Sequence, residues 1–317
     1  MHEDTFFRKF RSFPKVDLHR HLEGSITPET LITVATIWGG NLPTTDVDTL
    51  RKLIVMQYDT PGFHTFLDKF KIYRGFYPCR EAIEYIAATA VKEAAEDGVK
   101  YLELRYSPTH FSALGRFSEE EVIRWINGAI QHAASENDII VIPLATISRD
   151  YGIELAEATV SRISALPSGF FYGLDLAGDE ISNPAQPFAG VFALARAQGL
   201  YLTIHAGEAC GPENVREAVS LYGASRIGHG IKAAEDPAVM QLLRERNVML
   251  EICLTSNVHT GVVPSVGQHP IKTLMQHGVP VSLNTDDPAI SGITLTDEYV
   301  TAVTELGLTE DDLNMLN

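Results

Sequence analysis

Two histidines one residue apart, His19 and His21, close the run VDLHRH at residues 16–21. Alternate residues of a strand share a face, so both imidazoles point the same way and could grip one metal ion. Nitrogen-rich donor sets favour zinc. A third histidine, His205, ends the apolar run YLTIHA, and a fourth, His229, lies in RIGHG. Asp286 and Asp287 come directly after PVSLNT. Adjacent carboxylates repel each other in a dry site, and a dication relieves that cost. Ser282, Asn284 and Asp286 alternate, so strand parity assigns Asp286 to the metal and Asp287 to a neighbouring role. Three histidines and one aspartate also leave a position open for water. Taken singly, each of these residues fits a hydrogen-bonded core position equally well; the set points to chemistry.

Glu208 stands three residues after His205, behind Ala206-Gly207. The glycine lets the backbone turn tightly, so the carboxylate can lean over the metal without ligating it. A raised pKa there would make it a proton donor at neutral pH. The plain alternative is an acid at a helix N-terminus. Gly178, in DLAGDE, allows a ligand to approach the backbone, while Asp179 and Glu180 read as the start of the next helix. Ser107 comes after ELRY and could face the same opening, although a serine before proline also fits an ordinary turn.

What must position these residues is a set of short apolar runs at 16–21, 101–107, 139–146, 171–177, 201–206, 226–230, 248–254 and 280–285, most separated by helical patterns. Strand then helix, eight times over, predicts a parallel sheet closed into a TIM (β/α)8 barrel, with the polar strand ends gathered at one mouth. The rival is an open doubly wound sheet. The expected organisation is one barrel domain over residues 1–317, with a helical lid insertion at 22–100. Within it Phe63, Phe66, Leu67 and Phe70 share one helical face, which fits core packing or an apolar lid that excludes water. The chain has 317 residues, 45% hydrophobic and 21% charged, with a formal net charge of −16. Such acidity disfavours nucleic acid and anionic membranes as partners. Three cysteines without a CxxC pair, no signal-peptide pattern and no long apolar span predict a cytoplasmic protein. There is no glycine-rich phosphate loop and no G-x-S-x-G elbow.

The segments HRHLEGS, ELRYSP, DLAGDE, TIHAGE, IGHG, CLTSN and NTDDP, in this order, resemble the adenosine deaminase family of the amidohydrolase superfamily, over about residues 15–299. The resemblance implies one zinc ion per chain, held by His19, His21, His205 and Asp286, and hydrolysis of the C6 amino group of adenosine or deoxyadenosine. It implies that Glu208 protonates the purine N1 and that His229 and Asp287 act around the activated water. His21, Glu23, Gly178, Asp287, Phe66, Phe70 and Ser107 would contact the nucleoside: Gly178 through its backbone at N3, Asp287 at N7, and Phe66 and Phe70 from the lid.

Two departures from the family pattern matter. The HLxG position, usually an aspartate that contacts the ribose 5′-hydroxyl, is Glu23. Glutamate there also occurs in relatives acting on adenine or on other adenosine derivatives, so adenine or a 5′-modified adenosine is the alternative substrate. The ELRYSP run is adenosine-type. Residues 288–317 alone come after Asp287, fewer than the family's usual closing helices, which implies a shortened end and a weaker barrel closure or oligomer contact. A non-catalytic purine- or zinc-binding protein is a further reading, against which the intact acid, base and ligand set argues. A two-metal amide or phosphotriester hydrolase would place a lysine at the end of the fourth strand, where this sequence has DLAG.

Overall fold

A computed structural model describes residues 2–56, 60–112, 116–167 and 169–317. Eight parallel strands succeed one another around a single sheet in chain order. They are β1 (Lys15–His21), β2 (Val99–Tyr106), β3 (Ile140–Ser148), β4 (Gly173–Ala177), β5 (Tyr201–Ala206), β6 (Arg226–His229), β7 (Met249–Ile252) and β8 (Val281–Leu283). Helices cover the outside, and the predicted barrel order is the one observed.

β8 is shorter than the run predicted for it, and residues 284–286 beyond its end complete the closure against β1. The Asp286 amide donates to the His19 carbonyl at 2.7 Å, the His21 amide donates to the Asp286 carbonyl at 2.9 Å, and the Leu18 amide donates to Asn284 Oδ1 at 2.8 Å. The seam is thus closed by an isolated bridge between Arg20 and Asp286 and by these bonds, not by a paired ladder like those between the other neighbouring strands. Residues 288–317 contribute the helices Pro288–Ser291, Leu295–Thr304 and Glu310–Met315, and Asn317 Oδ1 accepts the Val16 amide at 2.7 Å.

The barrel interior is polar where apolar layers are the rule. Arg105 on β2 donates to Glu251 Oε2 on β7 at 2.9 Å and lies 3.5 Å from Asp175 on β4. Arg226 on β6 donates to Glu251 Oε1 at 2.7 Å and pairs with Glu103. Arg105, Asp175 and Glu251 are fully buried, where ions persist only when paired and hydrogen-bonded. This lattice forms the floor beneath the strand-end histidines.

Between β1 and β2 lie the helices Pro28–Trp38, Val47–Ile54, Phe63–Asp68 and Arg80–Glu96. Phe63–Asp68 tightens into a 3₁₀ turn at Lys69–Ile72, and its apolar face points into the barrel mouth. No helix among the described residues is long and apolar enough to cross a membrane.

Candidate metal centre and active site

His19 and His21 leave the end of β1 toward a common point, joined there by His205 from β5 and His229 from β6. Donor atoms of His19, His205, His229 and Asp286 all lie within 4.8 Å of one another. His21 Nε2 stands 3.3 Å from His205 Nε2 and 3.5 Å from Asp286 Oδ1. His19, His205, His229 and Asp286 thus form one cluster that could hold a cation, and His21 stands beside it. Asp286 does not arrive there by parity. It lies beyond the end of β8 in a left-handed conformation, φ 61°, imposed by its two backbone bonds to β1. That strained position aims the carboxylate inward, where the Ser256 hydroxyl donates to Oδ2 at 2.6 Å.

The donor set fits a cation. His19 Nε2 is buried and makes no hydrogen bond, although Asp286 Oδ1 is 3.2 Å away. Burial and Arg105 oppose charge on His19; the interactions with Asp286 and Glu251 outweigh them and raise its pKa to about 9. The carboxylates around His19 therefore favour a cation beside it. Burial instead holds His21 and His229 well below the ordinary histidine range, as neutral imidazoles able to ligate. Glu251 Oε2 lies 2.8 Å from His19 Nδ1, and Asp175 Oδ1 lies 2.9 Å from His205 Nδ1. Each carboxylate fixes the tautomer that turns Nε2 toward the centre.

Glu208 sits on an irregular turn after β5, not at a helix start; the next helix begins at Pro212. Gly207 opens the turn with φ 66°. Glu208 Oε2 approaches His229 Nε2 at 3.7 Å. Burial, then the charges of Asp286 and Glu180, push the Glu208 pKa up to about 8, so the carboxyl holds its proton near neutrality. Asp287 is also buried; burial and the neighbouring Asp286 push it well above the usual carboxylate range.

Most of these groups line one cavity at the barrel mouth. Phe63, Phe66, Leu67 and Phe70 form its lid side, while Ser107, Gly178 and Glu23 line the wall. Glu23 Oε1 accepts the Ser107 amide at 2.8 Å, and its Oε2 has no hydrogen-bond partner. Every site residue expected from the sequence borders this cavity or the donor cluster beneath it. Sequence reasoning missed several contributors: Arg74, His110, Asp150 and Tyr151 in the lining, Glu251 under His19, and Asn257, whose Nδ2 lies 3.2 Å from His229 Nδ1. Asp179 and Glu180 do not start a helix: Asp179 accepts the Ile181 and Ser182 amides, and Glu180 accepts amides of the Glu208 turn.

A barrel with nitrogen-rich donors at its strand ends, beside a buried protonated carboxyl, defines an enzyme of the amidohydrolase type. The family model described as adenosine deaminase matches residues 14–317, and the chain belongs to that family. The chain is 37% identical over 302 residues to an adenosine deaminase of Klebsiella pneumoniae subsp. pneumoniae, covering 95% of this chain and 90% of the relative. Among solved structures it is similar to an adenine deaminase from Arthrobacter aurescens, with TM-score 0.88, 26% identity and coverage of 96% of this chain and 91% of that one. It is also similar to an N6-methyl-AMP deaminase from Arabidopsis thaliana, with TM-score 0.82, 25% identity and coverage of 98% and 91%.

Proposed function

We propose that this chain hydrolyses the C6 amino group of adenosine and deoxyadenosine, with one zinc ion held by His19, His21, His205 and Asp286. The observation that carries the reading is the Glu208–His229 pair, 3.7 Å apart beside the donor cluster, with the carboxyl raised to about 8. An acid and a neutral imidazole in one dry pocket can serve opposite proton transfers. Zinc suits a compact set of imidazoles and one carboxylate, and when bound it supplies Lewis-acid activation of a water molecule.

The chain's own residues do the rest. Glu208 donates its proton to the purine N1, which makes C6 electrophilic. His229, neutral because it is buried, accepts the proton of the attacking water and orients its oxygen toward C6. The new C–O bond forms as N1 gains its proton; protonated His229 then gives its proton to the C6 amine, the C6–N bond breaks and ammonia leaves, while the C6 hydroxyl proton passes to the Glu208 carboxylate as C6=O forms. Protonated Asp287 can donate to N7, and Gly178 lets the base approach the backbone at N3. Phe66 and Phe70 cover the base and exclude water.

Adenine is the second reading, favoured by Glu23, one methylene longer than the aspartate usual in adenosine enzymes. The lining offers a 5′-phosphate little cationic complement: Arg74 is the one guanidinium or ammonium among the described lining residues, and Asp150 lines the same cavity.

The test is to incubate zinc-loaded protein with adenosine, deoxyadenosine and adenine while monitoring purine absorbance and ammonia. Turnover of the nucleosides is expected. Changing Glu208 to Gln should lower kcat by about 10²–10⁴-fold with zinc retained. No turnover of any of the three by wild type sinks the proposal.

A further inference from the structure

Glu180 is buried behind the turn at 206–210 and does not line the cavity. Its Oε1 accepts the Gly207 amide at 2.7 Å and the Asn214 side-chain amide at 2.8 Å. Its Oε2 accepts the amides of Glu208 at 3.2 Å, Ala209 at 3.0 Å and Cys210 at 3.2 Å. Four consecutive backbone amides outside any helix or strand thus converge on one carboxylate. Without it they would lose their acceptor in a largely dehydrated position, which a fold does not tolerate unchanged.

The carbonyl side of the same segment is also pinned. Arg149 donates to the His205 carbonyl at 2.6 Å, and the Lys232 amide donates to the Gly207 carbonyl at 3.0 Å. The left-handed Gly207 leaves no slack, since a Cβ there would come 2.4 Å from Val215 Cγ2. The turn is therefore held from both faces, and the Glu208 side chain projects from it toward His229.

We propose that Glu180 is a positioning residue for the deamination step: its carboxylate clamps the 206–210 turn and thereby fixes Glu208 over the reacting base. The inference rests on the deaminase reading for its chemistry, but the clamp itself is independent of substrate. Glutamine at 180 would turn an NH₂ group toward amides that need an acceptor, so the turn must open. A misplacement of about 1 Å in a catalytic group costs on the order of 10²-fold in rate.

The experiment compares wild type, Glu180→Gln and Leu243→Ala as full-length zinc-loaded proteins; Leu243 is a fully buried core residue, and its truncation controls for lost stability. Two readouts are taken: amide hydrogen exchange in the peptide containing residues 207–210, and steady-state kinetics on adenosine. Glu180→Gln should exchange that peptide at least about tenfold faster. It should also lower kcat about 10²-fold with KM within about threefold and zinc retained, while Leu243→Ala leaves both readouts near wild type. Unchanged exchange overturns the clamp, and so does an equal kcat loss in Leu243→Ala or a loss confined to KM. If wild type turns over no purine, the deaminase reading fails, and exchange still decides the clamp. Should Glu180→Gln not fold, Glu180→Asp, which keeps the charge but shortens the reach, carries the same expectations.

Discussion

Asp175 Oδ1 accepts a hydrogen bond from His205 Nδ1 at 2.9 Å in a contact sealed from solvent. Burial alone would raise Asp175; its interactions with His205 and Arg105 hold it well below the usual carboxylate range. An ionised acceptor on Nδ1 commits His205 to one tautomer and makes its Nε2 a better donor to a metal. Asp175→Asn should therefore weaken metal binding by about 10–100-fold, measured by competition with a chromogenic chelator. Unaltered affinity would show that Asp175 serves the barrel lattice alone.

Two glycines separate metal binding from chemistry. A Cβ on Gly24 would lie 1.7 Å from Asp287 Oδ1, so Gly24→Ala must push the Asp287 carboxylate aside. We expect a kcat loss on the order of 10²-fold with metal content unchanged. A Cβ on Gly228 would lie 2.9 Å from His19 Cε1 and 3.1 Å from His205 Nδ1. Gly228→Ala should instead lower metal content, read by elemental analysis of the purified protein. Metal loss in Gly24→Ala, or full metal in Gly228→Ala, contradicts this division.

How far the sequence discloses the site depends on where each residue lies along its strand. His205 and His229 end apolar runs, and closing eight such runs into a barrel brings their ends together. Glu208 is legible because Gly207 precedes it. Glu251 is harder: a single carboxylate inside VMLEICL signals burial with partners, but nothing local names His19, Arg105 or Arg226 as those partners. Glu180 has no local signal, because its partners begin at Gly207 and only the β4–β5 crossover returns the chain to it. Strand parity assigns Asp286 to the metal, yet β8 ends at Leu283. The residue points inward because hydrogen bonding to β1 forces a positive φ, which alternation does not encode.

His269 should make the fold acid-sensitive. Its Nε2 lies 3.1 Å from Asn257 Oδ1, and its Nδ1 accepts the Ile271 amide at 3.1 Å, so the neutral ring is satisfied on both sides. Burial pushes its pKa down to about 3. In the unfolded chain it titrates near 6.5, so from there down to about 3 the unfolded state binds a proton that the fold refuses. Stability therefore falls as pH falls through that window, by roughly 1.4 kcal/mol per unit for this one group. Urea unfolding at pH 7 and pH 5 should show a stability loss about 2 kcal/mol smaller in His269→Gln than in wild type. Equal losses in the two proteins would mean that His269 titrates normally in the fold.

Glu23 decides between the two substrate readings. The Ser107 amide holds one of its oxygens, and the other, buried and without a hydrogen-bond partner, borders the cavity. Burial raises the Glu23 pKa to about 7, so above that pH its free oxygen accepts a hydroxyl as a charged group, a bond worth about 1.5–3 kcal/mol, or roughly 10–100-fold in kcat/KM. If the hydroxyl is the ribose 5′-OH, Glu23→Ala should lower kcat/KM for adenosine by that factor and leave adenine turnover unchanged. Wild type should then lose the same factor on 5′-deoxyadenosine, because the hydroxyl is missing from the other side of the same bond. A loss on adenine as large as that on adenosine would move Glu23 from the ribose to the base and favour adenine as the substrate.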